Sequence, residues 1–397
     1  MKKQNVHEAF ATFVLNTYRR VGPVFVKGKG SYLWDNKGNR YLDLFPGWGV
    51  SILGHCHPGI VRRATQQLKT LIHLPNNLYF TAQADLARVI VENSFPAKVF
   101  FANSGAEAIE GAIKISRLFG SPTGRFEIIT MKNSFHGRTF GAMSATAQAK
   151  YKKPFEPILP GFKEASFNDF ESFKGQVTAQ TVGVLLELVQ GEGGVNIADK
   201  GYAQQLERYC REHNLLFMVD EVQSGMARTG KLFAFQHYGI TPDIFVLSKG
   251  LGAGVPISAI VVKDTLAGLM QPGLHASTFG GNPFVTRVGL EVFSIIKKEK
   301  ILPHVVAMGK YLKDKLCALQ KKYSCIKEVR CIGLMAGVEL NIPSFPIFTR
   351  ALEKKLIINS THDTVLRIMP ALTVTKKELD EGLKILEQAL KESNAKS

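Results

Sequence analysis

Two chemically active side chains come directly after short apolar segments of the sequence. Asp220 follows residues 215–219, and Lys249 follows residues 244–247 and one serine. Both segments are rich in Val, Leu, Ile and Phe, which is typical of buried strands. A buried acid must be paired or hydrogen-bonded, and a buried ammonium loses its hydration, so both residues suggest a function. Asp220 taken alone could equally cap a helix.

A carboxylate and a lysine at one edge of a sheet are the groups that pyridoxal phosphate (PLP) chemistry requires. Desolvation lowers the pKa of a lysine amine and makes it a nucleophile, so Lys249 could bind the cofactor's aldehyde. A carboxylate such as Asp220 keeps the pyridine nitrogen protonated, which lets the ring accept electrons. The glycines after Lys249 read G-x-G-x-G and lead into an apolar strand. A dinucleotide-binding fingerprint needs different spacing and a following helix, so a dehydrogenase is disfavoured.

The segment Asn103-Ser104-Gly105-Ala106-Glu107 follows another apolar run and begins a helical pattern. In one interpretation Ser104 caps the helix and Glu107 reaches back to its start. In the other, the free N–H groups of Ser104, Gly105 and Ala106 hold a phosphate, because a helix N-terminus attracts anions. The segment alone does not separate the two interpretations.

These candidate groups depend on elements that bring several strand ends together. Apolar runs predict buried strands at residues 99–102, 127–131, 182–186, 215–219, 244–247 and 257–262. Helical patterns lie between several of them, including 106–119 and 201–213. Buried strands that alternate with helices predict an α/β fold with a mainly parallel sheet, covered by helices on both faces. Such a sheet binds ligands at the carboxyl ends of its strands.

The two ends of the chain predict a second, smaller unit. Further patterns indicate a hairpin at 31–44, one long helix over 284–323, a strand at 333–340 and a charged helix at 376–392. A length of 397 residues exceeds what one hydrophobic core usually organises. We therefore predict a large domain over residues 46–284, and a smaller α+β domain formed by residues 1–45 and 285–397.

Composition and charge limit the classes of function. The net charge is +17, but the basic residues are dispersed and form no basic arm, so we expect no nucleic-acid partner. The chain has no apolar run long enough to span a bilayer and no signal-peptide pattern, so we expect a cytoplasmic protein without membrane contact. Five scattered cysteines indicate free thiols. His55-Cys56-His57 lacks a second ligand pair at zinc spacing, so we expect a turn there and no metal.

The sequence resembles the class III aminotransferases of fold type I, and most closely the acetylornithine aminotransferase group. The likeness runs along nearly the whole chain, in one order. The matching segments are GSYLWDNKGNRYLDL (30–44), LGHCHP (53–58), FANSGAEA (101–108), FHGRT (135–139), QGEGG (190–194), DEVQSGMARTG (220–230), HYGITPDI (237–244), SKGLGAGVPISA (248–259), STFGGNP (277–283) and LRIMPAL (366–372). The family's fold has a large domain with a mainly parallel seven-stranded sheet between helices, and a smaller α+β domain.

The resemblance implies a PLP site. The implied cofactor-binding residues are Ser104, Gly105, Ala106, Phe135, Asp220, Glu221, Val222, Gln223, Lys249 and Thr278. Lys249 corresponds to the catalytic Schiff-base lysine and Asp220 to the partner of the pyridinium nitrogen. Gln223 corresponds to the neighbour of the phenolic oxygen, and Phe135 to the aromatic ring that stacks on the cofactor.

The resemblance also implies how substrates bind. Arg138 corresponds to the residue that binds the α-carboxylate, where a guanidinium can make two parallel hydrogen bonds. Glu192 corresponds to a glutamate that pairs with an arginine, here Arg367. We expect Arg367 to bind an α-carboxylate of the amino acceptor when Glu192 swings away. When the two residues pair, the arginine is neutralised and an amino-terminated arm can enter.

A homodimer is implied as well, because Ser277 and Thr278 correspond to residues that cross a subunit interface. Thr278 would reach the partner's PLP phosphate, and Ser277 its substrate. Several positions depart from the family's pattern, among them Ile109 in place of a usual asparagine and Leu188 in place of a usual proline. Ala106 replaces a usual threonine near the phosphate, which removes a hydroxyl. The bulky Trp48 stands in a segment that usually holds small residues, so we expect it to shape the substrate pocket.

The activity implied by the resemblance is a ping-pong transfer of the δ-amino group of N2-acetylornithine to 2-oxoglutarate. The products are N-acetylglutamate 5-semialdehyde and glutamate, which would place the chain in arginine biosynthesis. Alternative donors in the same family are succinylornithine, succinyl-diaminopimelate, ornithine and 4-aminobutyrate. A non-catalytic protein with the PLP-enzyme fold is a further alternative, supported only by the strong positive charge.

Overall fold

The computed structural model describes residues 5–394, in which strands and helices alternate through the middle of the chain. The strands within this range are β1 (Phe25–Lys29), β2 (Tyr32–Asp35), β3 (Arg40–Asp43), β4 (Ala97–Ala102), β5 (Glu127–Met131), β6 (Phe162–Ala165), β7 (Thr181–Leu186), β8 (Val189–Gln190), β9 (Asn196–Ile197), β10 (Leu216–Asp220), β11 (Ile244–Leu247), β12 (Ser258–Lys263), β13 (Ile326–Ile332), β14 (Met335–Leu340), β15 (Leu356–Ile357), β16 (Asn359–Thr361) and β17 (Val365–Ile368). The helices within it are α1 (Val6–Phe13), α2 (Pro58–Leu68), α3 (Thr81–Glu92), α4 (Gly105–Gly120), α5 (Phe140–Ala145), α6 (Ala149–Lys152), α7 (Phe170–Lys174), α8 (Lys200–Glu212), α9 (Asp264–Ala267), α10 (Pro283–Lys298), α11 (Ile301–Lys322), α12 (Phe345–Glu353) and α13 (Lys376–Asn394).

The central sheet has seven strands in the order β4-β12-β11-β10-β7-β5-β6. Strand β12 is antiparallel to both of its neighbours, whereas the pairings from β11 through β6 are parallel. This confirms the predicted α/β fold with a mainly parallel seven-stranded sheet. The six strands predicted by position are all present. The remaining strand, β6, lies at the edge of the sheet, where its sequence FKEA is only partly buried and gives no continuous apolar signal.

Apolar side chains cover both faces of the central sheet. On one face, helix α4 packs against β11, β12 and β7, with Ile113, Leu185 and Ile260 in one buried cluster. On the other face, a larger cluster that includes Phe217 and Phe245 continues into the terminal segments of the chain. The strand residues are buried on both sides, which explains their nearly uninterrupted apolar sequences.

Two four-stranded sheets are built from the ends of the chain. One has the order β1-β2-β3-β15, and its β15 joins residues from the C-terminal part to β3 in parallel pairing, with Leu356 opposite Leu42. The other has the order β13-β14-β17-β16. The predicted hairpin at 31–44 is confirmed by antiparallel β2 and β3. The division into domains at residues 46 and 285 stays a prediction, and its outermost residues, 1–4 and 395–397, lie outside the described range.

Two predictions of elements are wrong in detail. The single helix expected over 284–323 is two helices, α10 and α11, separated at Lys300, which has a left-handed backbone with φ 53°. The sequence does carry a signal for this break, because Pro303 falls in the first turn of α11, where proline is tolerated, and would disrupt the interior of one continuous helix. The strand expected from Gly333 begins at Met335, because Gly333 forms the turn between β13 and β14 with φ 55°.

Candidate active site

The carboxyl ends of β10 and β11 bring Asp220 and Lys249 to one edge of the central sheet. The two strands are parallel neighbours, with Asp220 opposite Val246. Both side chains line one cavity of about 260 Å³. The strand-end pattern in the sequence therefore predicted their proximity correctly. The cavity is also lined by Gly105, Ala106, Phe135, His136, Gly137, Arg138, Glu187, Glu192, Val222, Gln223 and Ser248.

Lys249 has an unusual backbone conformation and a desolvated side chain. Its φ is 40°, in the left-handed region that non-glycine residues rarely adopt and that costs free energy. Burial lowers the pKa of its amine, while the carboxylates of Glu192 and Asp220 act in the opposite direction. A lysine in this setting has a larger neutral, nucleophilic fraction than one in water.

Asp220 is buried and held by two hydrogen bonds. Its Oδ2 lies 2.8 Å from His136 Nδ1, and its Oδ1 accepts from the backbone N–H of Val222 at 2.9 Å. His136 is itself buried, and its other ring nitrogen has no hydrogen-bond partner among the described residues. The carboxylate is therefore fixed in orientation at the cavity wall.

The N-terminus of α4 borders the cavity. Its geometry agrees with both interpretations made from sequence, the capped helix and the phosphate site. Ser104 Oγ accepts from the N–H of Glu107 at 3.2 Å, and Glu107 Oε2 accepts from the N–H of Asn103 at 2.6 Å. The capping interaction thus forms, and Gly105 and Ala106 still line the cavity. A Cβ at Gly105 would approach Val222 to 2.9 Å, so glycine is needed for this close packing.

An aromatic and basic group forms another part of the wall. The rings of Phe135 and Tyr151 are nearly perpendicular, with centroids 5.8 Å apart. The guanidinium carbon of Arg138 lies 3.9 Å from the centroid of the Tyr151 ring. Arg138 is thus oriented by a cation–π contact that the sequence analysis missed, because Tyr151 lies outside the FHGRT segment.

Glu187 is a buried carboxyl group that the sequence analysis also missed. It follows β7 directly, so it stands at the same sheet edge, and the strand-end argument could have found it. Its two oxygens accept from the N–H groups of Phe135 at 2.9 Å and Gly191 at 3.4 Å. Burial raises its pKa, and the negative charge of Asp220 raises it further.

Glu192 and Arg367 form the ion pair that was expected. Arg367 Nη2 lies 2.8 Å from Glu192 Oε1, and only 1% of the arginine side chain is exposed. Arg367 Nε donates to Asn359 Oδ1 at 2.8 Å, and the guanidinium lies over the ring of Phe45 at 4.9 Å. A buried arginine with one acidic partner can bind a substrate carboxylate if that partner moves away.

The residues of the DEVQ segment (220–223) differ in their positions relative to the cavity. Gln223 Nε2 donates to the carbonyl of Trp48 at 3.3 Å, while its Oε1 is buried without a partner among the described residues. Glu221 does not line the cavity. Its carboxyl accepts from the N–H groups of Ala234 and Phe235, each at 2.7 Å. Its predicted contact with the cofactor is untested, and its visible role is to hold that backbone turn.

Ser277 and Thr278 do not line the cavity of their own chain. Ser277 Oγ accepts from Asn103 Nδ2 at 3.2 Å and from the N–H of Gly280 at 3.1 Å. The side chain of Thr278 is exposed. Their expected contribution to a partner's site stays a prediction.

The expected turn at His55-Cys56-His57 is present. His55 Nε2 lies 2.8 Å from Asp43 Oδ2, and His57 Nδ1 accepts from the N–H of Gly59 at the start of α2. Cys56 has a left-handed backbone, with φ 50°. The two histidines therefore have structural partners. All five cysteines are free, as expected.

The groups around the cavity fit PLP in their chemistry. The N-terminus of α4 offers unpaired N–H groups to a phosphate, and Phe135 offers a ring face. Asp220 offers a fixed carboxylate to a pyridinium nitrogen, and Lys249 a desolvated amine to an aldehyde. The buried Oε1 of Gln223, which has no partner within residues 5–394, is an acceptor available to a hydroxyl group.

Comparison with known proteins assigns the family. The family model described as "Aminotransferase class-III" matches residues 16–390. An acetylornithine aminotransferase from Caldanaerobacter subterraneus subsp. tengcongensis is 49% identical over 384 residues, which cover 96% of this chain and 98% of that protein. One from Methanocaldococcus jannaschii is 44% identical, and the match covers 99% of both chains.

Solved structures agree with this assignment. The ornithine aminotransferase of Toxoplasma gondii superposes with a TM-score of 0.94 at 31% identity, covering 99% of this chain and 96% of that one. A second structure of that enzyme, with a TM-score of 0.92 at 31% identity over 98% of this chain and 95% of that one, is described as having PLP in partial occupancy at its active site. The chain therefore belongs to the class III aminotransferases.

Proposed function

We propose that this PLP-dependent aminotransferase transfers the δ-amino group of N2-acetylornithine to 2-oxoglutarate, giving N-acetylglutamate 5-semialdehyde and glutamate. The observation that carries the proposal is the pair of anion-binding groups around one lysine. Arg138 is exposed at the cavity, whereas Arg367 is buried and neutralised by Glu192. One arginine is thus always available, and the second becomes available only when Glu192 moves.

This arrangement suits two substrates that differ in charge. The α-carboxylate of acetylornithine binds Arg138, and its δ-amino end reaches Lys249 while Glu192 masks Arg367. A dicarboxylate such as 2-oxoglutarate needs two cationic partners, and it obtains the second by displacing Glu192. A guanidinium can bind each carboxylate through two parallel hydrogen bonds.

The residues around Lys249 divide the chemistry between them. When bound, PLP supplies an electrophilic carbonyl for amines and a ring that accepts electrons. Lys249 Nζ removes a proton from the donor carbon that bears the amino group, and its lowered pKa favours this base role. Asp220, held by His136, keeps a proton at the ring nitrogen of the bound cofactor.

The names of the relatives support the choice of donor. Eight relatives at 38–49% identity are acetylornithine aminotransferases, and each match covers at least 93% of this chain. The solved relatives at lower identity include ornithine aminotransferases, which keeps ornithine as an alternative donor. With acetylornithine as donor, the chain acts in arginine biosynthesis, and we propose the cytoplasm as its location. No helix among residues 5–394 is long and apolar enough to cross a membrane.

Spectroscopy of the PLP-loaded protein tests the donor directly. N2-acetylornithine, added without an oxo acid, should convert the visible absorbance band of the lysine-bound cofactor into a near-ultraviolet band. Succinylornithine, succinyl-diaminopimelate, ornithine and 4-aminobutyrate should do so more slowly at equal concentration. If one of these four amines gave a faster conversion, that amine would be the preferred donor in place of acetylornithine. Absence of any visible band with excess PLP would contradict the proposed use of Lys249.

We further propose that the protein works as a homodimer. Helix α1 has no buried residue, and its Phe13 is 72% exposed, while Tyr79 and Phe279 are also exposed. Large apolar side chains in such positions mark contact surfaces on soluble proteins. Phe279 directly follows Ser277 and Thr278, so an interface that covers it would bring both residues to the partner subunit. Light scattering coupled to size-exclusion chromatography should give twice the mass of the chain.

A further inference from the structure

One face of strand β16 contacts both members of the Glu192–Arg367 pair. Asn359 and Thr361 are two residues apart, so their side chains point to the same side of the strand. Asn359 Oδ1 accepts from Arg367 Nε at 2.8 Å. Thr361 Oγ1 donates to the backbone carbonyl of Glu192 at 3.1 Å. The residue between them, Ser360, points away and contacts Ser344 Oγ at 2.6 Å.

Asn359 is well placed to fix the arginine independently of Glu192. Asn359 and Arg367 are direct cross-strand neighbours in β16 and β17, so the backbone pairing sets their side chains side by side. The amide oxygen of Asn359 accepts from Nε of the guanidinium, and the carboxylate of Glu192 contacts Nη2. The remaining nitrogen, Nη1, is buried and has no partner among the described residues.

This geometry leaves one side of the guanidinium for a carboxylate. If Glu192 leaves, Nη1 and Nη2 are both free, and together they match a bidentate carboxylate. The hydrogen bond from Nε to Asn359 remains, so the guanidinium keeps its orientation when the substrate arrives. A neutral amide suits this role because it holds the arginine without cancelling its charge.

Thr361 fixes the other member of the pair. Its hydrogen bond holds the backbone of Glu192, so the carboxylate can leave Arg367 only by rotating its side chain while the loop stays in place. The pairing of β8 with β9, on either side of Glu192, also restrains this loop. Rotation of one side chain requires less rearrangement than movement of a loop.

We propose that Asn359 and Thr361 are positioning residues that determine specificity for the two substrates. Asn359 holds Arg367 ready for the second carboxylate of the amino acceptor, and Thr361 holds Glu192 in the position that masks Arg367 for the amino donor. The inference rests on the proposed function, because it assigns each residue to one of the two substrates.

Opposite effects on two ligands test the proposal in the PLP-loaded protein. Glutarate, a dicarboxylate without a reactive carbonyl, is titrated by calorimetry, and the donor is titrated through the loss of the visible band. Asn359→Asp places a negative charge on Arg367, so it should weaken glutarate binding about tenfold and change the donor's half-saturation less than about twofold. Thr361→Val should do the reverse, raising the donor's half-saturation several-fold and leaving glutarate unchanged. Ser360→Ala is the matched control on the same strand and should change neither value.

Several results would overturn the proposal. One is that Asn359→Asp leaves glutarate binding unchanged. Another is that both variants weaken the binding of both ligands equally, which would indicate a general disruption of the site. Asn359→Ala provides a second variant if the charged one does not fold, and it should also weaken glutarate more than the donor. Failure of the proposed function looks different, because wild-type protein would then not respond to N2-acetylornithine. The donor titration would then use whichever amine does respond. Glutarate binding would still depend on Asn359.

Discussion

At the scale of single residues, Tyr151 shows how Arg138, the proposed substrate arginine, is kept in place. Arg138 is exposed, and its guanidinium rests on the Tyr151 ring at 3.9 Å. We expect Tyr151→Leu to raise KM for donor and acceptor about two- to fivefold, because a cation–π contact contributes about 0.5–1 kcal/mol. Steady-state kinetics with each substrate varied in turn would measure this, with a smaller expected change in kcat.

Tyr151→Phe is the matched control for this prediction, since it retains the ring and removes the hydroxyl. It should behave like the wild type. If it impaired KM as much as Tyr151→Leu does, the ring contact would not be the cause. The cofactor's visible band should be unchanged in both variants, because Tyr151 contacts Phe135 and Arg138 and does not line the cavity.

Glu221 makes stability depend on pH. Burial raises the pKa of its carboxyl from 4.5 to about 8, although the N–H groups of Phe235 and Ala234 act in the opposite direction. Between these two values the folded state keeps a proton that the unfolded state has lost. The contribution of Glu221 to stability is therefore complete below pH 4.5, falls as pH rises, and reaches its minimum above about pH 8.

The comparison with Glu221→Gln isolates this effect. The wild-type advantage in unfolding free energy should shrink as pH rises from about 5 to 8, with a limiting slope of about 1.4 kcal/mol per pH unit. Urea unfolding at a series of pH values, with PLP saturating in every sample, would measure it. The exposed Glu212 of α8 provides the control, and Glu212→Gln removes a carboxyl group from the surface under the same conditions. A constant difference for Glu221→Gln would show that the carboxyl is ionised when folded.

At the scale of elements, the fold was predictable wherever burial on both faces left an uninterrupted apolar run. The strand ends that carry Asp220 and Lys249 followed from such runs, and so did their proximity. Strand β6 was not found by position, because its four residues, FKEA, include two adjacent charged side chains and form no apolar run. The break between α10 and α11 was not found either: Lys300 has no side-chain property that marks a left-handed turn, and the signal of Pro303 in the first turn of α11 was overlooked.

The break at Lys300 gives a test of backbone strain. Lys300 has φ 53°, so Lys300→Gly should remove strain and stabilise the protein by up to about 1 kcal/mol. Thermal or urea unfolding measures the change. Lys313→Gly lies at an exposed position in the middle of α11, where glycine should instead destabilise by about 1 kcal/mol. A loss of stability at both positions would mean that the left-handed turn is not strained in lysine.

The active site was predictable only where its chemistry lies in local motifs. The pairing of Glu192 with Arg367 followed from family resemblance and charge. The residues that orient them did not, because Asn359 reaches Arg367 through the pairing of β16 with β17, which no local pattern specifies. Glu187 was predictable in part. Its position after β7 can be read from the sequence, but its hydrogen bonds to two separate loops cannot.

At the scale of the whole molecule, Arg228 joins the loop after Asp220 to the sheet that carries Arg367. It is fully buried, and its Nη1 donates to the carbonyl groups of Leu334 at 2.9 Å and Pro370 at 2.5 Å. Burial lowers the pKa of its guanidinium to about 9. The loop after Asp220 and the sheet bearing Arg367 are thus held in a fixed relation, which suits the proposed movement of Glu192 by side-chain rotation.

The largest-scale prediction concerns how two subunits share an active site. Thr278 is exposed on its own chain and lies beside the exposed Phe279. If Thr278 contacts the partner's cofactor phosphate, Thr278→Ala should weaken PLP binding in the partner's site, whereas Lys249→Ala should inactivate the site of its own chain. Each homodimeric variant would then be impaired at limiting PLP, because both of its sites carry the same defect.

A mixed dimer of the two variants distributes the defects unequally. One site combines the altered lysine with the altered threonine, and the other combines an intact Lys249 with an intact Thr278. Co-expression with two different affinity tags, followed by sequential purification, would isolate this species. It should recover close to half of the wild-type activity at limiting PLP, together with one visible-absorbing cofactor per dimer. Activity no higher than the mean of the two parents would mean that Thr278 serves its own subunit, and that the exposed apolar residues around it need another explanation.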